Sequence, residues 1–375
     1  MTVQNISPAQ ISSPPPKQAQ PQPQAQALAS SPIHPAQQME LVRRMLDLDI
    51  HPVLIIGTTH SGKTCMLCSL LSYARSHPEA GLAVSLGANV FPDGYPNSDS
   101  RYANAVQFYN QTVPAFISGR APEDSSLNEH FFIPINVSVN RPGMPVQTIK
   151  LAFLEGMGEW YGLATDGNNF KALSPDVAAL VDRFGNAMSF IYMAPSQPTA
   201  EGGAAFLRSH QSLSHRIDEY SRRLRESDGS RDNLMLLATH WDRLFPPGSD
   251  FEKFAAPGPD EIQSVVGAWP FSWASFSNIA VPGKKAMMPY SAGLISETGR
   301  TVTPPSDKQK KVFDGFNRAL WAWLYDNATQ SKDGSQSTVL YADLAPPRPL
   351  SLLERIVGWM LGEWGPASRP EKPSA

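Results

Sequence analysis

The sequence is short of cysteine, of charge and of long apolar runs. Of its 375 residues only two are cysteines, Cys65 and Cys68, too few for a disulfide framework, so a reducing compartment suits the chain. Lys and Arg number 31 against 34 Asp and Glu, a formal net charge of −3 with 17% charged residues. That balance excludes nucleic-acid binding through bulk positive charge, and no nucleic-acid partner is expected. No apolar stretch reaches the roughly 18 residues that a membrane span needs, and nothing at the N-terminus resembles a signal peptide. The expectation is a cytoplasmic protein without a transmembrane segment.

What is present is enough apolar residue, 41% of the chain, to build a substantial core. The 35 prolines concentrate partly in tails. Residues 1–36 are rich in Pro, Gln, Ala and Ser and too poor in large apolar side chains to offset the entropy of ordering, which predicts a disordered tail. Met39, Leu41, Val42, Met45 and Leu46 recur at helical spacing and predict a helix over 36–48. The apolar run 52–57 predicts a strand buried on both faces, followed by a helix over 64–76. Two strands, 131–140 and 144–156, flank Arg141-Pro142-Gly143 and predict a hairpin. Helices then alternate with strands: a helix over 176–188, a strand over 189–195, a helix over 210–226, a strand over 233–242, a strand over 284–293 and a helix over 308–328. This alternation predicts a three-layer α/β domain over 37–328, interrupted by an insertion at about 90–130. Residues 329–375 read as a Pro-rich linker and a C-terminal helix whose broad apolar face carries Leu352, Leu353, Ile356, Val357, Met360 and Leu361.

Four segments carry chemistry. Residues 57–64, GTTHSGKT, fit the phosphate-loop pattern GxxxxGK followed by Ser or Thr, between an apolar strand and a helix. Glycines let backbone N–H groups approach an anion, the helix N-terminus adds its positive end, Lys63 reaches the terminal phosphates and Thr64 can bind Mg²⁺. The second segment is an apolar strand that delivers Glu155 at its C-terminal end, with Gly158 three residues on, where a carboxylate can support a metal and a backbone N–H can face a phosphate. The third, Thr239-His240-Trp241-Asp242, places a carboxylate past another strand, where it can accept two hydrogen bonds from guanine that adenine cannot donate. The fourth puts Ser291 and Ala292 past the last strand, where a backbone N–H can donate to guanine O6.

In number, order and placement at strand ends, these segments resemble those of the P-loop GTPases of the Ras-like or translation-factor class, in a divergent bacterial flavour. The resemblance covers most of residues 50–328. It implies a P-loop NTPase fold, a mostly parallel sheet with one antiparallel strand, and GTP or GDP with Mg²⁺ as cofactors. It implies nucleotide contacts over Gly57, His60, Ser61, Gly62, Lys63, Thr64, Cys65, Gly158, Thr239, Asp242, Ser291 and Ala292, with Thr64 and Glu155 at the metal. Three departures stand out. Glu155 replaces the usual Asp, His240 replaces the Lys that packs on the nucleotide, and Glu159 stands where many members carry a water-orienting Gln. Lys63 and Glu159 are therefore the catalytic candidates. The metal-binding threonine of the first switch has no single counterpart, with Thr112, Ser125 and Ser126 all available.

The function that follows is a GTP-binding switch with slow Mg²⁺-dependent hydrolysis. Two alternatives come from other classes: a non-hydrolysing nucleotide-binding scaffold that recruits protein partners through its tails or C-terminal helix, and an ATP-using P-loop enzyme. Cys65 and Cys68 form CxxC without a second ligand pair and read as packed helix residues. The arginines at 208, 216, 222, 223 and 225 share their helix with acidic residues and read as a solvated face. The C-terminal helix lacks a cationic polar face, which makes it a poor fit to anionic membranes.

Overall fold

The computed structural model describes residues 33–122, 130–140, 146–156, 172–198, 203–226, 232–244, 264–269, 271–279, 285–295 and 301–333. The two tails read from the sequence, and the C-terminal helix with them, fall outside these residues except for their innermost positions.

The chain enters through α1 (Pro35–Asp47), whose first turn is fixed by Pro35 and by a reciprocal cap between His34 and Gln37. It then forms β1 (His51–Ile56), every residue of which is buried. Next come α2 (Lys63–Ser76) and the short strand β2 (Leu82–Leu86). A helical run follows, made of α3 (Ser98–Gln107), a π-helical turn (Phe108–Thr112) and α4 (Val113–Ile117). The predicted hairpin is β3 (Phe131–Val139) and β4 (Gln147–Glu155), paired from Phe131 with Glu155 through to Val139 with Gln147. Its turn lies outside the described residues. Then come α5 (Pro175–Arg183), β5 (Ser189–Pro195), α6 (Gly203–Glu226), β6 (Asn233–Thr239), α7 (Ser272–Asn278), β7 (Lys285–Pro289), the two-residue strands β8 (Leu294–Ile295) and β9 (Val302–Thr303), and α8 (Asp307–Asp333).

The main sheet has seven strands in the order β2-β3-β4-β1-β5-β6-β7. Only β3 runs against the others: β4, β1, β5, β6 and β7 pair in parallel, and β2 and β4 each pair antiparallel with β3. This is the expected α/β architecture with one antiparallel strand. The continuous burial of β1, β5 and β6 requires a layer on both faces of the sheet. Helices supply it: α1 packs with α5, α2 with α8, and α6 with α7. Among the described residues no helix is long and apolar enough to cross a membrane.

The described part of the stretch read as an insertion carries α3, the π-helical turn and α4, and an edge strand, β2, precedes it. Two details differ from expectation on α6. The helix expected from His210 begins seven residues earlier, at Gly203. On that helix Arg216 is buried and paired with Glu219 at 2.7 Å, so it does not belong to a solvated face.

Candidate functional site

The ends of β1 and β4 build one half of the site. The β1–β4 register pairs Leu54 with Leu154, so Glu155 lies one step further on, level with Ile55, one residue before β1 ends and the loop begins. That loop turns sharply at Gly57. A Cβ there would lie 2.4 Å from Ser61 Oγ, so only glycine lets the chain fold back over Ser61. His60 and Gly62 both take left-handed backbone, with φ of 61° and 89°. Left-handed residues set in such a turn direct successive N–H groups toward one concavity. Gly62 also precedes α2 without a side-chain cap, which leaves the first amides of that helix to other partners.

Lys63 is almost fully buried and curls beneath its own loop, donating to Gly57 O at 3.0 Å and Thr58 O at 3.1 Å. Burial pulls its ammonium down to about 8, against the upward pull of Glu155. Thr64 Oγ1 donates to Glu155 Oε1 at 2.7 Å. Burial pushes the Glu155 carboxyl above its ordinary range, with Lys63 and the Thr64 hydrogen bond opposing it. Among the described residues Glu155 Oε2 and Ser61 Oγ are buried without hydrogen-bond partners. The Thr64 hydroxyl and the Glu155 carboxylate, one oxygen of which is unshared, together offer hard-oxygen donors of the kind that fit Mg²⁺.

The ends of β6 and β7 build the other half. Trp241 is fully buried and anchors the turn after β6, while its N–H reaches Tyr290 O. Tyr290 N–H in turn donates to Ala238 O at 2.8 Å, and this tie brings the two loops together. Ser291 Oγ donates to Asp242 Oδ1 at 2.6 Å. Burial raises the Asp242 carboxyl, and that hydrogen bond draws it back. Thr239 is buried, and its carbonyl accepts from Ser196 N–H at 2.9 Å. Ala292 packs half-buried against the core.

The halves meet at His240. Its backbone is left-handed, with φ of 56°, and a Cβ on Gly62 would lie 3.6 Å from its Nε2. Burial lowers the imidazole to about 4, helped by Arg243 and His60, so it is neutral at physiological pH. The structure thus brings Gly57, His60, Ser61, Gly62, Lys63, Thr64 and Glu155 together, and sets Thr239, Asp242, Ser291 and Ala292 alongside through His240.

Gly158 and Glu159 lie outside the described residues, as do Ser125 and Ser126; Thr112 closes the π-helical turn. Cys65 is half-buried on the first turn of α2, and Cys68 is in the core, where burial raises its thiol well above the ordinary range. One contact has no signal in the sequence: Thr58 Oγ1 donates to Ser209 Oγ of α6 at 2.9 Å, tying the phosphate loop to that helix.

No family model matches the chain, and no curated protein sequence matches it. Among solved structures it is similar to the signal recognition particle receptor SRb-GTP/SRX complex from Chaetomium thermophilum. The identity there is 13%, covering 70% of this chain and 98% of that one, with a TM-score of 0.30. It is also similar to a GTP-binding protein from the hyperthermophilic archaeon Sulfolobus solfataricus in complex with GDP, at 14% identity over 79% of this chain and 66% of that one, with a TM-score of 0.26. A variant of SsGBP matches at 13% identity over 68% of this chain, with a TM-score of 0.24. The chain spans 58% and 65% of the length of two SsGBP variants.

Proposed function

We propose that this chain binds guanine nucleotide with Mg²⁺ through the loop 57–64 and the ends of β4, β6 and β7, hydrolyses GTP slowly, and acts as a nucleotide-dependent switch. The observation that carries this reading is the convergence of Lys63, Thr64 and Glu155 at the C-terminal ends of β1 and β4. Ligands in open α/β sheets bind beyond those ends. Lys63 is the cation for the terminal phosphates, and a phosphate oxygen would replace the two carbonyls it now contacts. Thr64 and Glu155 would hold Mg²⁺, which when bound neutralises phosphate charge as it develops. Asp242 reads the guanine N1–H and N2–H₂, steadied by Ser291, and the neutral His240 imidazole closes the gap between the base loop and the phosphate loop.

Hydrolysis by this reading is in-line attack of water on the γ-phosphate, with positioning rather than covalent chemistry supplying the rate. Glu159, or a group from a protein partner, orients that water. The test is equilibrium binding of GTP and ATP, with Mg²⁺, to wild type, Lys63→Ala and Asp242→Asn, followed by phosphate release on the same samples. Tight GTP binding that both substitutions weaken supports the reading. Undiminished binding by Lys63→Ala sinks it, and equal ATP and GTP binding points to an ATP-using enzyme instead. Binding without release, with partners present, makes the chain a scaffold.

A further inference from the structure

Next to Glu155 lies a buried charged cluster that nucleotide binding does not use. Asp176, the second residue of α5, is fully buried, and its Oδ1 accepts the Val177 N–H at 3.0 Å. Its Oδ2 accepts from Arg101 Nη1 at 2.8 Å, His130 Nε2 at 3.0 Å and Tyr95 OH at 3.3 Å. Arg101 comes from α3, and its guanidinium lies over the rings of Phe91 and Tyr95. Ser174 Oγ stands 3.5 Å from the same His130 nitrogen. Burial alone would push the Asp176 carboxyl up, but His130 and Arg101 together hold it well below the usual carboxylate range.

Ionic groups this deeply buried cost desolvation that apolar packing would avoid, so they add little net stability. What the cluster does hold is a geometry. The hairpin register pairs Phe131 with Glu155, which sets His130 against Gly156 one step further. A Cβ on Gly156 would lie 3.0 Å from His130 Cβ and 3.3 Å from its Cα. The two backbones are in contact, and glycine at 156 is what permits it. His130 is gripped by Asp176 on one side and pressed on Gly156 on the other, and Gly156 is bonded directly to the residue that takes the Thr64 hydroxyl.

We infer that His130 is a positioning residue for the nucleotide site: clamped by Asp176 and Arg101, it fixes the Glu155–Gly156 turn and so governs how firmly the metal-bound nucleotide is retained. The inference rests on the function proposed above and deepens it. It makes α3, through Arg101, a lever on nucleotide exchange.

The experiment has two arms on the full chain: wild type, His130→Ala and His130→Gln. In the first, amide hydrogen exchange without nucleotide is read over 151–156 and, for comparison, over 189–195 and 233–239. In the second, release of a fluorescent GDP analogue is timed with Mg²⁺ and with chelator. His130→Ala is expected to raise exchange over 151–156 alone. It is also expected to speed Mg²⁺-dependent release about tenfold, the scale on which groups supporting a metal ligand act. Release in chelator is expected to stay unchanged. His130→Gln keeps an N–H toward Asp176 and is expected to restore both. Unaltered exchange over 151–156, an equal rise in all three regions, or failure of the glutamine variant to rescue overturns the inference. Should His130→Ala fail to fold, Gly156→Ala presses the same contact from the other side, and it must raise exchange over 151–156 for the inference to stand. A wild type that binds no guanine nucleotide removes the proposed function, and the exchange arm still decides the clamp.

Discussion

Thr64 Oγ1 and Glu155 Oε1 are joined by a 2.7 Å hydrogen bond that links the first turn of α2 to the end of β4. The carboxylate is buried with one oxygen unshared. Even with the pull of Lys63 and the Thr64 hydrogen bond, burial holds it above its ordinary range, so its charge is costly to the folded chain unless a further cation comes to it. Glu155→Gln keeps the volume and removes the charge. It is expected to raise the melting temperature of the nucleotide-free chain while abolishing the part of GTP affinity that depends on Mg²⁺. Thermal unfolding without nucleotide, and titration of GTP with and without Mg²⁺, read the two effects separately. A variant that is less stable and still responds to Mg²⁺ contradicts the role given to Glu155.

Asp242 and Ser291 meet from the loops that follow β6 and β7, and their 2.6 Å contact holds that carboxylate by one oxygen two residues after His240. Asp242→Asn turns one acceptor oxygen into a donor, facing guanine donors with a donor of its own. GTP affinity is expected to fall about 100-fold, roughly 3 kcal/mol, with ATP binding little changed. Competition between the two nucleotides on wild type and variant checks this directly. Ser291→Ala is expected to weaken GTP binding in the same direction and by less.

The parts of this fold that are legible in sequence are those that local pattern determines. β1, β5, β6 and β7 are short apolar runs closed by loop residues, and GTTHSGKT sits between a strand and a helix as its glycines require. β2 escapes because it is an edge strand of five residues whose burial alternates, with no run to notice. The helical stretch from Ser98 to Ile117 is polar on much of its length and passes through a π-helical turn, which breaks the 3.6-residue period. Asp176 looks like an ordinary acidic residue in the first turn of a helix. Its partners Arg101 and His130 are 75 and 46 residues away, and no local pattern announces such a pairing. The approach of His240 to Gly62 is hidden for the same reason. Both depend on strand order rather than on neighbours in the chain.

Tyr290, the residue after β7, ties that strand to the helices. Its hydroxyl donates to Asn317 Oδ1 at 2.6 Å, and Asn317 Nδ2 donates to Ser69 Oγ at 3.0 Å and Phe313 O at 3.0 Å. The network joins β7, α8 and α2 in a fully buried place, so removing one hydroxyl strips a buried acceptor of its best donor. Tyr290→Phe is expected to cost about 1–2 kcal/mol in denaturant unfolding. Asn317→Leu removes the second polar group too, and the double variant is expected to lose less than the sum of the single changes. Strict additivity would mean that the groups act independently.

His210 ties α6 to the end of β5 and to α7. Its Nε2–H donates to Pro195 O at 3.0 Å, which leaves Nδ1 to accept from Ser272 Oγ at 2.5 Å. The ring is therefore held neutral, and burial lowers its pKa to about 4, against the raising effect of the Pro195 carbonyl. In the unfolded chain the same imidazole titrates near its ordinary value, so between about 4 and 6.5 the unfolded state binds more protons than the folded one. Stability must then rise with pH across that window and fall as the solution is acidified, by on the order of 3 kcal/mol for this group. His240, lowered to the same range, contributes with the same sign, whereas the raised carboxyls of Glu155 and Asp242 contribute in the opposite sense. His210→Gln retains a donor and an acceptor without titrating, and it leaves those other groups in place. The difference in melting temperature between wild type and His210→Gln is therefore expected to shift in favour of the variant as pH falls from 6.5 to 4.5. A constant difference across that range would show that the imidazole takes up its proton in the fold as readily as in the unfolded chain.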